Sequence, residues 1–409
     1  MKVVEGWMAA SLGELLVTRN NKTKQIKSTE YSAVGSFPVV DQSAEFICGY
    51  HDNSAKLIDT DLPLTIFGDH TRHTKFVDFP FIAGADGTQL LKPKHGIQDK
   101  FFYYLVASAA DKIGNFGYDR HFKHLKEYVC AYPLDESEQA KIAEILSTVD
   151  RAIEQTEALI AKQQHIKTGL MQNLLTRGID EHGNLRTEQT HKFKDSPLGR
   201  IPVEWEVVPV EQKLACIIDY RGRTPLKEDS GIPLITAKNV REGFLNEEPR
   251  EFIAEENYEA WMTRGIPTPG DVMFTTEAPM GNVARVPEYK IALAQRLITL
   301  PTRDTELSGT FLFWLLRWAR TTERLELLTS GSTVVGVKQS VFRKVLFPFP
   351  QKDEQESLTK VLEAHNAIAS NEKAKLQKLR SLKTALMQDL LTGKKRVTAM
   401  LNKKETACI

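Results

Sequence analysis

Apolar residues recur at three- and four-residue steps in two long stretches of this chain. The first runs from about Asp135 to Thr176 and carries Ile142, Leu146, Val149, Ile153, Ile160, Leu170 and Leu174. The second carries Leu358, Leu362, Leu376, Leu379, Leu382, Leu386 and Leu390. That spacing puts each set on one stripe of an amphipathic helix. Pro133, Asp135 and Glu138 before the first stripe, and "FPFP" with Asp353 and Glu356 before the second, read as helix starts of the capping-box kind. Gly178 and Gly393 stand where left-handed helix ends need glycine. Each helix is predicted at about 35–40 residues, on the order of 50–60 Å long. Neither can bury its stripe alone, so the two are expected to pair as an antiparallel coiled coil.

Elsewhere the pattern shortens. "FPVVDQ", "PLTIFGD", "IPLITAKNV" and "GDVMFTT" are alternating or apolar runs broken by Gly, Pro and Asp, which predict strands in mixed domains. The expected architecture is α/β (α+β): a globular segment over 1–132, a helical arm over 133–178 and a polar linker over 179–197. A second globular segment follows over 198–350, then a second arm over 351–393 and a basic tail over 394–409.

The two arms are copies. "KTGLMQNLLT" and "KTALMQDLLT" place Lys167, Met171 and Gln172 against Lys383, Met387 and Gln388, always 216 positions apart. Glu138–Gln139 recur as Glu354–Gln355 at the same offset. The chain therefore reads as a tandem duplication of domain and arm. Arms kept alike beside domains that diverged suggest a rigid frame presenting two different surfaces. Leu170, Met171, Leu174 and Leu175, with Leu386, Met387, Leu390 and Leu391, exceed what a two-helix seam needs. They are expected to form a docking face for helices of partner subunits.

Composition narrows the options. A chain of 409 residues can bury two or three cores, and its formal net charge is +1. Nucleic-acid binding would have to rest on local patches, since no global basic field exists. The first globular segment is near neutral and the second slightly acidic, while the stretch from 351 onward is basic. Four cysteines, scattered singly, suit a reducing cytoplasm. The N-terminus has Glu5, Trp7 and Glu14 breaking its apolar run, so it reads as a poor signal peptide. No stretch approaches the length of a membrane span. "LLTGKKRV" has Gly-Lys-Lys and lacks the upstream glycine of a phosphate-binding loop, and no Asp/Asn-Pro-Pro-Tyr/Phe, Gly-x-Ser-x-Gly or Cys-x-x-Cys motif occurs. The pairs Cys48–His51, His70–His73 and His121–His124 lack further ligands at metal spacing and read as polar loop residues.

Several motifs in order resemble one family. "PLTIFGDHTRHTKFVDFPFIAGADGT" (63–88), "SPLGRIPVEW" (196–205), "PGDVMFTT" (269–276), "GSTVVGVKQS" (331–340) and the doubled "KT.LMQ.LLT" resemble the specificity subunit of type I DNA restriction-modification systems. The resemblance covers essentially the whole chain. One departure is the lack of a full "SPLGRIPVEW" copy before the first domain. The resemblance implies a non-catalytic reader of double-stranded DNA whose two target-recognition domains each read half of a bipartite, asymmetric site. It implies helical arms that set the spacer and dock two methyltransferase subunits, which methylate adenine N6. Two restriction/translocase subunits would join them. S-adenosylmethionine, ATP and Mg would then sit on those partners, with no cofactor or metal in this chain. A cytoplasmic location and no membrane are expected.

Base reading needs Arg, Lys, Asn, Gln or His at loop tips, with neighbours pinning phosphates. In the first domain the candidates are Asp69, His70, Thr71, Arg72, His73 and Lys75 in one loop, and Tyr118, Arg120, His121 and Lys123 before the arm. Ser332, Thr333, Lys338 and Gln339 precede the second arm at nearly the same offset. Arg221, Arg223, Lys238, Asn239, Thr275, Thr276 and Asn282 complete the second domain's set. Arg317, Arg320 and Arg324, at helical spacing, read instead as a solvated face. The rival reading is a coiled-coil adaptor with two protein-binding domains. A single-chain methyltransferase or nuclease is disfavoured by the missing motifs.

Overall fold

The computed structural model describes residues 4–19, 22–114, 120–222, 224–303, 305–328 and 336–405. It divides into two compact units. One comprises Met1–Ala158 with Lys373–Ile409, the other Leu159–Glu372. Each unit therefore holds one globular segment, the start of the helix that follows it and the end of the other long helix.

In the first unit β1 (Trp7–Ser11) leads into the short α1 (Leu12–Leu15). Ser11 and Glu14 close a capping box, each side chain accepting from the other's backbone N–H. Then come β2 (Leu16–Arg19), β3 (Phe37–Val40), β4 (Gly49–His51), β5 (Leu57–Ile58), β6 (Leu64–Gly68), β7 (Thr74–Val77), β8 (Phe81–Ala83) and β9 (Thr88–Pro93). Helices α2 (Asp99–Lys112) and α3 (His121–Glu127) precede β10 (Val129–Pro133) and the long α4 (Glu136–Arg177). One sheet has the order β2-β9-β6-β7 and a second the order β4-β3-β8-β5, with β3 and β8 parallel. Strand β10 returns antiparallel to β1 and closes the domain directly before α4.

The second unit repeats this plan. After the hairpin of β11 (Phe193–Lys194) and β12 (Ile201–Pro202) come β13 (Glu206–Pro209), β14 (Ile218–Asp219), β15 (Ile232–Ile235) and β16 (Phe252–Ile253). Helix α5 (Tyr258–Trp261), β17 (Val272–Thr275), β18 (Val283–Arg285), β19 (Ala292–Leu293) and β20 (Leu297–Leu300) follow. Helices α6 (Gly309–Leu316), α7 (Ala319–Leu327) and α8 (Gln339–Phe342) then lead to β21 (Leu346–Phe349) and the long α9 (Lys352–Leu390). The order β14-β20-β17-β18 copies β2-β9-β6-β7, and β16-β15-β19, with its parallel β15–β19 pair, copies β4-β3-β8. Strand β21 pairs with β13 as β10 pairs with β1. All four apolar runs expected to be strands are strands, and they are matched pairs: β3 with β15 and β6 with β17.

The long helices are 42 and 39 residues, the first about 63 Å at 1.5 Å per residue. A glycine of positive φ follows each, Gly178 (68°) directly after the first helix and Gly393 (72°) three residues beyond the second. Their starts depart from the expected capping boxes. Asp135 accepts from Ser137 N–H at 2.9 Å. Glu138, though, turns away to a bidentate pair with Arg396 at 2.6 and 2.7 Å. A buried carboxylate gains more from a guanidinium fork than from a backbone N–H. Helix α9 begins one residue before Asp353, which leaves that carboxylate in the first turn, where the helix dipole favours it.

The repeated Glu–Gln pair is the joint of each unit. Gln139 donates to the carbonyls of Gly96 and Pro133 and accepts from Gln98 N–H at the start of α2. Gln355 does the same for Glu306, Pro350 and Ser308 at the start of α6. Glu354, the counterpart of Glu138, accepts from Trp205 Nε1, Arg186 Nη1 and Ile179 N–H at 3.0, 2.7 and 3.1 Å. The segment expected as a linker is thus strapped to the core of its own unit.

Burial along the stripes is uneven. Ile142 and Leu146 are fully buried with Trp7 and Phe101, and Leu358 and Leu362 with Trp205 and Phe311. Ile153, Ile160, Leu376 and Leu379 are only half-buried, and Leu382 is 47% exposed. The middle of the seam is held by polar bridges as well. In the first unit Lys383 meets Asp150 at 2.7 Å and Arg380 meets Glu157 at 2.7 Å, so the helices run antiparallel there. In the second, Lys167 donates to Asn366 at 3.4 Å, the counterpart of the Lys383–Asp150 bridge.

Two expectations are corrected by packing. Met171, Leu174 and Leu175 lie in the core of the second unit, and Leu390 and Leu391 in that of the first. Leu170, Leu386 and Met387 pack against the same cores. The apolar surplus therefore closes the chain's own domains, which leave more surface to cover than a two-helix seam does. Arg317 and Arg324 do not form a solvated face either, and the Arg320 side chain lies outside the described residues. The helix breaks at Trp318, Arg317 stacks 4.9 Å from the Phe313 and Trp314 rings, and Arg324 donates to the Leu346 carbonyl. Among the described residues no helix is long and apolar enough to cross a membrane.

Candidate nucleic-acid interface

Three loops meet at one edge of each domain. In the first domain they are the β6–β7 hairpin tip, the β8–β9 turn and the segment entering α3. Backbone hydrogen bonds bind them: Gly68 N–H to the His73 carbonyl, Asp69 N–H to Gly87 and His121 N–H to Asp69, at 2.8, 2.8 and 2.9 Å. The second domain has the same bonds from Thr275 to Asn282, Thr276 to Arg296 and Val337 to Thr276, at 2.9, 3.1 and 2.9 Å. Strand register agrees, since Gly68 pairs with Thr88 as Thr275 pairs with Leu297. One backbone frame thus occurs twice with different side chains, and the second hairpin tip is two residues longer.

The candidates divide into frame and surface. Asp69 is buried, and its carboxylate accepts from Phe122 N–H at 2.8 Å, which pins α3 to the hairpin. His121 is buried with Nδ1 2.9 Å from the Asp69 carbonyl. Lys75 points inward to the Glu45 carbonyl and lies 3.8 Å from Cys48 Sγ. Burial holds the Lys75 ammonium below its usual pKa and pushes the Cys48 thiol up. Burial also disfavours the Asp41 carboxylate, but hydrogen bonds from Cys48, Ser43 and Tyr31 outweigh that and hold its pKa low. In the second domain Asn239 spends its amide on Asn246 and Pro249, and Thr275 donates to the Pro279 carbonyl at 2.6 Å. Thr276 is buried too, and Asn282 donates to the Val240 carbonyl. Six of these seven side chains are buried and Asn282 is half-buried, so they brace the edge from within.

Others face outward. His70, His73, Arg120 and Lys123 are exposed on the first edge, as is Thr71, whose hydroxyl donates to the Gln42 carbonyl, and Arg221, Lys238 and Lys338 on the second, with Gln339 half-buried beside them. Arg72 is half-buried and donates to the Ile113 carbonyl at 2.9 Å. It lines a cleft of about 450 Å³ with His73, Tyr103 and Asp111, and with Arg380 and Lys383 of α9. Tyr118, Arg223, Ser332 and Thr333 lie outside the described residues. Two side chains escaped the sequence reading. Gln42 braces the first edge, accepting from His70 N–H at 3.0 Å and donating to the Asp86 carbonyl at 2.6 Å. Arg296 stands exposed on the second. Neither lies in a motif, and only tertiary pairing brings its turn to the edge. Among the described residues no group of three or more His, Cys, Asp or Glu could hold a metal ion.

A family model described as the type I restriction modification DNA specificity domain matches this chain twice, over residues 4–163 and 202–381. The chain belongs to that family. Each match covers one globular domain and runs into the long helix behind it. The putative type I restriction enzyme MjaX specificity subunit of Methanocaldococcus jannaschii is 26% identical over 316 residues, 74% of this chain and 67% of that protein. The MjaVIII specificity subunit of the same organism is 26% identical over 276 residues, 65% of this chain and 61% of that protein. The matches thus span about two thirds of these relatives' lengths. The crystal structure of a type I restriction-modification system S subunit from M. genitalium matches with a TM-score of 0.62. At 16% identity over 96% of this chain and 98% of that one, it shows a shared fold. Membership in the specificity family assigns the two domains to recognition of a DNA target.

Proposed function

We propose that this chain reads a bipartite double-stranded DNA site, one half with each domain, for a type I modification and restriction complex in the cytoplasm. The repeated three-loop edge carries this reading. A matched hydrogen-bonded frame with different outward side chains is what two readers of different half-sites need. The exposed cations on each edge are few, which suits a reader whose non-specific affinity comes largely from partner subunits. Modification subunits would supply S-adenosylmethionine-dependent methylation of adenine, and restriction subunits the ATP- and Mg-dependent steps.

The helices would fix the spacer and dock the modification subunits through outward apolar residues. Ile166, at 40% exposed, and Leu382, at 47%, stand 216 positions apart, one on each repeat, and Ile368 is 50% exposed. These replace the buried leucines as docking residues, Leu382 in the first unit and Ile166 and Ile368 in the second. The test is genome-wide mapping of methyladenine in a host that carries the chain with its cognate modification subunits. A two-part motif that changes in one half when residues 1–132 are exchanged for another member's domain is expected. A motif without two separable halves would end the proposal.

A further inference from the structure

We propose that Arg296 is the side chain with which the second domain recognises a guanine–cytosine pair. The assignment rests on the bipartite reading above and adds to it a residue and a base class. The matched hydrogen bonds align two positions of left-handed backbone in both domains. At the hairpin tip, Arg72 N–H donates to the Gly68 carbonyl as Gly281 N–H donates to Thr275. At the adjoining turn, Gly87 accepts from Asp69 as Arg296 accepts from Thr276. The φ angles are 63° and 96° for the first pair, 86° and 72° for the second. Each domain thus holds one arginine and one glycine, in swapped places.

That swap has a physical reading. Glycine adopts left-handed backbone freely, whereas an L-side chain is strained there. At Gly87 a Cβ would lie 2.7 Å from the His70 ring and 2.8 Å from the Gln42 amide, so both side chains would have to move aside for any other residue. Arg296 keeps its side chain at the matching position despite the strain. Among the described residues its exposed guanidinium makes no hydrogen bond or ion pair, so no polar contact of its own offsets that strain. Strain without an internal return points to an external partner. Arg296 lines a cleft of about 290 Å³ with Lys238, Gln295 and Thr224. Glu251, which also lines it, is engaged by Lys227 at 2.8 Å. The cleft therefore keeps the positive charge of Lys238 and Arg296, and a guanidinium fork matches the O6 and N7 acceptors of guanine in the major groove.

The experiment uses the assembled complex with its modification subunits. Its motif is mapped first, then binding is measured to duplexes altered base by base in the second half-site, at two salt concentrations. Arg296→Gly should lose roughly ten- to hundredfold of the preference for guanine at one position, with the first half-site read as before. It should not melt below the wild type, because glycine relieves the strain. Arg296→Lys should keep overall affinity and lose less of the guanine preference than Arg296→Gly, since an ammonium reaches O6 and N7 but without the rigid fork. An unchanged motif overturns the assignment. So does a uniform weakening across all sequences with a salt slope reduced by about one, which marks a phosphate contact. A wild-type complex with no bipartite motif overturns the underlying reading instead, and Arg296 with it.

Discussion

Removing the Arg396 guanidinium tests the joint that ties the chain's end to the start of α4. Glu138 is fully buried, and its two oxygens accept from Arg396 Nε and Nη2 at 2.6 and 2.7 Å. Arg396→Ala leaves that carboxylate buried without a cationic partner, a change worth about 3–5 kcal/mol. The Arg396 side chain is 30% exposed, so water can enter the gap, and about 3 kcal/mol is the better figure. The second unit supplies an internal control. Arg186→Ala leaves Glu354 with two donors, Trp205 Nε1 and Ile179 N–H, so its cost should be nearer 1–2 kcal/mol. Two units need not unfold together, so the assay is native-state hydrogen exchange read by peptide. Peptides covering β1 and the first turns of α4 should lose protection in Arg396→Ala, and those covering Trp205 and the start of α9 should not. Replacing Glu138 and Arg396 together with apolar residues should recover most of the loss. Equal costs for the two single variants, or a loss below about 1 kcal/mol for Arg396→Ala, would refute the reasoning.

Other outcomes follow from the same geometry. Met171→Glu should destabilise the second unit by about 3 kcal/mol or more, since it buries a charge in an apolar core. Ile166→Glu with Leu382→Glu should leave folding intact by circular dichroism and abolish co-purification with the modification subunits; unimpaired co-purification would remove that surface from consideration. Four residues inserted near Gln155–Thr156, matched near Asn371–Glu372, lengthen each helix by about 6 Å and nearly restore the stripe. The methylation motif should then gain one or two base pairs of spacer with both halves unchanged, whereas a two-residue insertion turns the stripe by about 200° and should prevent assembly. Thiol labelling mapped by mass spectrometry should find exposed Cys216 modified at pH 8 and Cys130 untouched, since burial pushes the Cys130 thiol up to about 12.

Periodicity alone determined the frame of this protein. Stripes at helical spacing marked both long helices to within a few residues, because a helix that long must carry its apolar face in its own sequence. A fixed offset of 216 positions showed the duplication, and it also matched His121 to Val337 across domains whose side chains share little. The tertiary structure decided what each residue is for. Glu138 looked like a capping residue until the chain's far end brought Arg396 to it. Leu174 and Leu391 looked like spare docking surface until a domain covered them. Asp69, Lys75, Asn239 and Thr275 have the chemistry of base readers, yet folding spends their polar atoms on holding loops together. Arg296 carries no sequence signal, since strand pairing sets both its left-handed backbone and its place on the edge. Local pattern fixes which elements form; the use of a polar side chain depends on partners distant in sequence, which only the folded chain supplies.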